Sequence, residues 1–218
     1  MTREFGWIGS SDTRAASWLA PYPYPYDTPV GGWLADRYTH VLQILHPAYR
    51  WHDSDTDPSP VSWAQIAAAS GTQLKPGVGF SEVGRLQGPD ETVDGVFDTR
   101  PEASSIPAEW IDTVYGHLDD AHIGSVVGRV GTFVDVEIRG AARIRDTAGW
   151  EYVVLSTTRE IDEHTFFSRT PNFWWPEDRS WCAATGVDEE DTLVVSTDLA
   201  RLAAIHADPR LETQLHSR

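Results

Sequence analysis

Apolar residues fall into short blocks whose spacing changes along the chain. Tyr38 to His46 mixes β-branched and aromatic residues and is closed by Pro47, which predicts a buried strand. Ser62 and Gln65 have capping-box spacing ahead of Trp63 to Ser70, and Gly71 supplies the stop, so a helix is expected there. Trp110, Ile111, Val114 and Leu118 recur on one helical face behind Pro107, which predicts a second helix from Pro107 to about Asp120. The period then shortens. Ser125 to Ile138 and Trp150 to Thr157 read as strands, and Ser180 to Val187 and Thr192 to Ser196 as a hairpin around the acidic turn Asp188-Glu189-Glu190-Asp191. Thr197 is expected to cap a last helix that runs through Leu199, Leu202 and Ile205 to His206, before Asp208-Pro209. Clustered strands flanked by about three helices indicate an α+β fold with a mainly antiparallel sheet, in a single domain over residues 1–218.

Two stretches stand outside this pattern. Residues 21–29 alternate Pro and Tyr, which fixes φ and favours an extended arm laid on the protein's own surface. Residues 72–105 are rich in Gly, Pro and acids with little periodicity, and read as a long loop able to act as a lid. No repeat of 20–50 residues is present.

Composition narrows the class. The chain of 218 residues carries 33 Asp and Glu against 17 Lys and Arg, a formal net charge of −16, and the acidic excess is spread over both halves. Contacts to phosphates need cations, so this charge argues against a nucleic-acid binder and against an anionic membrane surface. No charged leader with an apolar run opens the chain and no apolar stretch approaches the roughly 18 residues of a membrane span, so a cytoplasmic location is expected. Cys182 is the single cysteine, which excludes an intramolecular disulfide and a multi-cysteine metal site.

Candidate chemistry is sparse. Asp53, Asp55 and Asp57 begin like a calcium loop, but Pro58 stands where the turn glycine belongs and Ala64 where the bidentate Glu belongs. His117, Asp120 and His122, with Asp119 between them, are candidate metal ligands near a helix end, where solvated His and Asp are also common. Cys182 lies in a strand among Ala residues and reads as a buried thiol rather than a nucleophile. No phosphate loop, dinucleotide fingerprint, nucleophile elbow or zinc-protease helix appears, so no catalytic residue is assigned and no cofactor is expected.

The most distinctive segment is Pro171-Asn-Phe-Trp-Trp-Pro-Glu-Asp-Arg-Ser-Trp-Cys182. Adjacent Trp residues in a strand point to opposite faces, and the two prolines suggest a shaped loop. The segment is therefore either a plug of the core, with Asp178 and Arg179 as a local pair, or an exposed aromatic anchor flanked by charge. Together with Tyr38 to Pro47, Trp63 to Ala67, Thr192 to Ser196 and Asp208 to Glu212, it resembles a family of uncharacterised actinobacterial proteins of about this size. Ser196-Thr197 departs from the Gly-Gly common there before the last helix. The resemblance implies a shared bacterial fold and transfers no site.

Two functional expectations follow. The first is a non-enzymatic acidic protein-binding module, immunity-like, that complements a basic partner through Trp174, Trp175, Asp178, Arg179, Asp188, Glu189, Glu190 and Asp191. The second is a metal- or small-ligand-binding enzyme with its pocket between the sheet and the 72–105 loop, using His117, Asp119, Asp120 and His122.

Overall fold

In the computed structural model, the described residues are 7–9, 11–19, 34, 36–52, 57–118, 123–129, 141–145, 151–157 and 170–217. The Pro-Tyr arm, Asp119, Asp120 and His122 lie outside them, as does most of the predicted strand beyond Arg129.

The architecture is α+β with a mainly antiparallel sheet. The elements in chain order are β1 (Trp7–Gly9), β2 (His40–Leu45), β3 (Ala48–Arg50), β4 (Ser59–Val61), α1 (Trp63–Ser70), α2 (Phe80–Gly84) and α3 (Ala108–Leu118). They continue with β5 (Ile123–Arg129), β6 (Arg143–Arg145), β7 (Glu151–Thr157), β8 (Phe173–Pro176), β9 (Trp181–Ala184), β10 (Asp191–Ser196), α4 (Leu199–His206) and β11 (Thr213–Ser217). Nine strands form one sheet in the order β1-β7-β5-β8-β9-β10-β2-β11, with β6 beside β1 on the free side of β7; β3 and β4 make a separate ribbon.

Strand alternation divides the side chains between two covered faces. On one face Leu42, Ile44, Leu155, Trp174, Trp181 and Val194 meet Ile111, Val114 and Leu118 of α3 and Leu202 and Ile205 of α4. On the other, Val41, Val154, Phe173, Trp175, Cys182 and Val195 meet Ala16, which joins two short 3-10 turns over Thr13–Ala15 and Ser17–Leu19, and Leu19, together with Leu34 and Tyr38. A sheet covered on both sides tolerates apolar residues at consecutive positions, which explains the unbroken burial of β8 and β9.

That double cover corrects the reading of the Trp pair. Trp174 (0% exposed) and Trp175 (2%) do point to opposite faces, and both faces are core. Trp174 stacks on Tyr115 of α3 at 4.3 Å and meets Trp181 edge-on at 5.5 Å, while Trp175 meets Trp18 edge-on at 5.2 Å. The two tryptophans stand in a regular strand and not in a proline-shaped loop: Phe173 pairs with Ala184 and Trp174 with Ala183, and the turn comes only after Pro176.

The 72–105 segment is also not a bare loop. Val78, Phe80, Val83 and Phe97 pack with Trp63, Ile66 and Ala67 of α1 and with Leu45 and Val61 as a third core. Phe80 sits edge-on between Trp63 (5.3 Å) and Phe97 (5.4 Å). Helix α1 has both halves of the expected capping box, and Gly71 takes the left-handed φ of +63° that ends it. Glu212, far along the chain, adds its carboxylate to the backbone N–H groups of Trp63 (2.6 Å) and Ala64 (2.9 Å) at the helix start. The last helix is capped by Asp198, one residue later than expected, with its carboxylate accepting from the Ala200 N–H. No helix among the described residues is long and apolar enough to cross a membrane.

Candidate functional site

The expected partner face divides in two. Asp178 and Arg179 lie in the β8–β9 turn, whereas Asp188, Glu189 and Glu190 lie in the β9–β10 turn that leads into Asp191. An antiparallel meander puts successive turns at opposite ends of a strand, about 13 Å apart for the four residues of β9. One face therefore does not gather all of these groups.

Most of the β9–β10 turn is spent on internal structure. Asp188 takes a left-handed φ of +63°, a conformation Asp tolerates where the predicted turn had no Gly. Its N–H donates to Ser104 Oγ (2.9 Å), and the Glu189 carbonyl accepts from Ser104 N–H (3.0 Å). Arg100 pairs with Glu190 at 2.6 Å, and both side chains are mostly buried, 17% and 16% exposed. The same guanidinium donates to the Gly88 carbonyl (3.1 Å) and Ser81 Oγ (2.8 Å). Gln43 donates to Asp191 Oδ2 (2.7 Å) while its own carbonyl accepts from Gly77 N–H (3.3 Å). The acidic turn thus fastens the 72–105 segment to the sheet, and Glu190 and Asp191 are corrected from contact residues to structural ones. Burial, reinforced by Asp191, Glu190 and Asp188, raises the Glu189 carboxyl to about 7. Burial raises Asp191 to about 6 against the bond from Gln43.

Of the candidate metal ligands only His117 lies among the described residues. His117 Nε2 is 2.8 Å from Asp208 Oδ2, and Asp208 also receives Arg210 through Nε (2.9 Å), Nη2 (2.6 Å) and its backbone N–H (3.0 Å). The Arg210 guanidinium and then His117 hold the Asp208 carboxyl far below the usual carboxylate range. This cluster ties the end of α3 to the loop after α4. Among the described residues, no group of three His, Cys, Asp or Glu could hold a metal ion. Where the 72–105 segment meets α1, Val78, Phe80, Val83 and Phe97 fill the contact with packed side chains. An open cleft lies within that segment and the end of α1, lined by Gly71, Thr72, Gln73, Lys75, Val78 and Glu82.

Two further chemistry-bearing groups are buried. Cys182 is fully enclosed, and burial pushes its thiol well above the ordinary range, so it is not a nucleophile. His46 is also fully enclosed, and burial lowers it to about 4, keeping it neutral. Its Nδ1 lies 2.7 Å from the Glu102 carbonyl, which can only accept, so Nδ1 bears the proton and Nε2 accepts from Thr192 Oγ1 (2.9 Å). Thr185 Oγ1 completes the chain at 2.7 Å from Thr192. His46, Thr185 and Thr192 are each fully buried, and the arrangement satisfies buried polar groups.

The exposed aromatic lies elsewhere. Trp51, just past β3, is 50% exposed, the most exposed large hydrophobic residue described. Its N–H donates to Asp98 Oδ2 (2.9 Å) and its indole N–H to Thr99 Oγ1 (3.2 Å). Asp98 and Thr99 are themselves bonded to the Tyr49 backbone. The Tyr49 hydroxyl donates to Glu109 Oε1 (2.5 Å), and burial together with that carboxylate raises the phenol above its ordinary range. Trp51 is thus an orientated ring beside the exposed Asp98, with the exposed Glu109 on the neighbouring Tyr49 hydroxyl. Nothing local in the sequence distinguishes it from nine other tryptophans except its place beside the acidic Asp53 to Asp57 stretch.

No protein-family model matches this chain, and no curated protein or solved structure is significantly similar to it.

Proposed function

We propose that this protein is a non-enzymatic, cytoplasmic binding module that receives a basic partner protein, in the manner of an immunity protein that covers a cationic toxin. The observation that carries this reading is Trp51, a half-exposed residue whose indole N–H is held by Thr99 and whose backbone N–H is held by the exposed Asp98. A large ring fixed in advance loses little conformational entropy on binding and is the residue type that dominates interface energies. The surrounding charge supports the choice of partner. A surface at −16 accelerates encounter with cations and disfavours nucleic acid and anionic lipid. Trp51, Asp98 and Glu109 replace Trp174 and Trp175 as the contact residues, while Asp178, Asp188 and Glu189 contribute only to the long-range field.

The test is affinity capture from an actinobacterial lysate on immobilised wild type and Trp51→Ala protein, followed by binding kinetics on the captured chain. The reading expects a basic protein retained by wild type, at least about tenfold weaker binding to Trp51→Ala, and an association rate that falls steeply with salt. An acidic or neutral partner, or equal binding by both proteins, overturns it.

A further inference from the structure

We infer that β11 is an interface between two copies of this chain, paired edge to edge, antiparallel and centred on Leu215. The inference does not rest on the Trp51 reading. β11 closes one side of the nine-stranded sheet and, among the described residues, pairs with β2 alone. An edge strand presents unmet N–H and C=O groups, and proteins blunt such edges with charge, proline or shortness. The opposite side of the sheet is blunted in this way: β1 has three residues, and β6, also of three, carries Arg143 and Arg145. β11 has five residues, Thr-Gln-Leu-His-Ser, with no carboxylate, no Lys or Arg and no proline, in a chain of net charge −16. Partial burial lowers the His216 imidazole below its ordinary value, which keeps the strand neutral at neutral pH.

The register follows from the bonds that β11 already makes. The Leu45 N–H donates to the Glu212 carbonyl (2.9 Å), so Leu45 and Glu212 form a hydrogen-bonded pair. Alternation along an antiparallel ladder then turns the main-chain groups of Gln214 and His216 towards β2, and those of Thr213, Leu215 and Ser217 away from it. Centring two copies on Leu215 sets Leu215 opposite its own copy and Thr213 opposite Ser217. Every outward main-chain group of the strand then finds a partner, and the two-fold axis closes the assembly at a dimer.

The same register matches two side chains that a single copy leaves unmet. Gln214 Oε1 and His216 Nε2 are shut off from water and have no hydrogen-bond partner among the described residues. They lie on one face of β11, on either side of Leu215. Their neighbours in β2 cannot serve them: Gln43 is engaged with Asp191 and Gly77, and Val41 has no polar side-chain atom. Across the two-fold axis, Gln214 faces the second copy's His216 in a pair without main-chain bonds, where side chains approach most closely. The amide oxygen accepts, and the neutral ring donates when its proton is on Nε2. Both side chains are only half-buried, so turning each one outward brings these atoms to the partner strand.

The test is sedimentation velocity of the purified full chain from about 1 μM to about 1 mM, with amide hydrogen exchange measured at both ends of the range. The expected result is a monomer–dimer equilibrium that added sodium chloride shifts towards dimer, because two copies at −16 repel each other. The Thr213, Leu215 and Ser217 amides gain protection as the dimer forms, while those of Gln214 and His216, bonded to β2, are protected throughout. The double variant Gln214→Lys and His216→Lys sets Lys against Lys across the axis while lowering the net charge of the chain. It is expected to weaken dimerisation about tenfold or more. Leu215→Pro removes the central outward donor and leaves the bonds to β2 in place, so the folded variant is expected to be monomeric. A chain that stays monomeric over the whole range overturns the interface. So does a dimer in which the Thr213 and Leu215 amides exchange as fast as in the monomer, or one undiminished in the folded Lys variant.

Discussion

The β8–β10 meander and the β3–β4 ribbon both present tryptophan beside acidic residues, and they put it to opposite uses. In the meander, Trp174 and Trp175 occupy a central strand with a covered face on each side, and both vanish into cores. In the ribbon, Trp51 follows a three-residue strand with only one partner strand, and half its surface remains in water. Local composition does not separate the two cases. Position in the sheet does, because only an interior strand has neighbours above, below and on both sides.

The largest test of this contrast is Trp174→Ala. Removing an indole stacked on Tyr115 and Trp181 should cost about 3–5 kcal/mol, measured by urea unfolding. A cost below about 1 kcal/mol would mean that β8 is not the interior strand described here. Arg100→Ala ranks next, since it leaves Glu190 without its cation and strips bonds from Ser81 and Gly88. A loss of about 2–3 kcal/mol is expected, with increased proteolysis of the 72–105 segment.

The acidic turn can be read through pH. Glu189 titrates near 4.5 unfolded and about 7 folded, and Asp191 near 3.8 unfolded and about 6 folded. Between these limits the native state binds more protons, so both groups make stability fall as pH rises towards 7. His46 acts in the opposite sense: unfolded near 6.5 and folded about 4, it makes stability fall as pH drops through that range. Asp208, depressed by Arg210 and His117, contributes stability above its unfolded 3.8 that is lost in stronger acid. Glu189→Gln isolates one contribution. It should raise stability at pH 8 relative to wild type and flatten the profile between about 4.5 and 7. An unchanged profile would place Glu189 in water.

The smallest effect on folding is expected from Trp51→Ala. A half-exposed ring with a single side-chain hydrogen bond should cost about 1 kcal/mol or less. Its effect on partner binding is expected to be far larger than its effect on stability, which is the signature that separates it from Trp174.

Elements set by local signals were legible in the chain. The Ser62–Gln65 capping box, the Gly71 stop and the β9–β10 hairpin need only neighbours in sequence to be recognised. Elements completed by distant partners were not. β4 contains Pro60, which discourages a strand reading, and it survives as an edge paired with β3. β11 is Thr-Gln-Leu-His-Ser, with little apolar content, and it exists because β2 offers a template. The 72–105 segment hid its core because Val78, Phe80, Val83 and Phe97 follow no single period. At the candidate site the legible part was the charge. The choice between Trp174, Trp175 and Trp51 depended on strand order, which no local pattern encodes.

Strand β2 carries one more consequence. Its two neighbours, β10 and β11, both lie more than 140 residues downstream. During synthesis the segment His40-Val-Leu-Gln-Ile-Leu45 therefore leaves the ribosome with both hydrogen-bonding edges unmet, and it stays so until β10 and β11 have followed. Such a segment is a template for aggregation while it waits. Nascent chains halted before Thr213 should therefore depend on chaperones far more than chains that include β10 and β11 do.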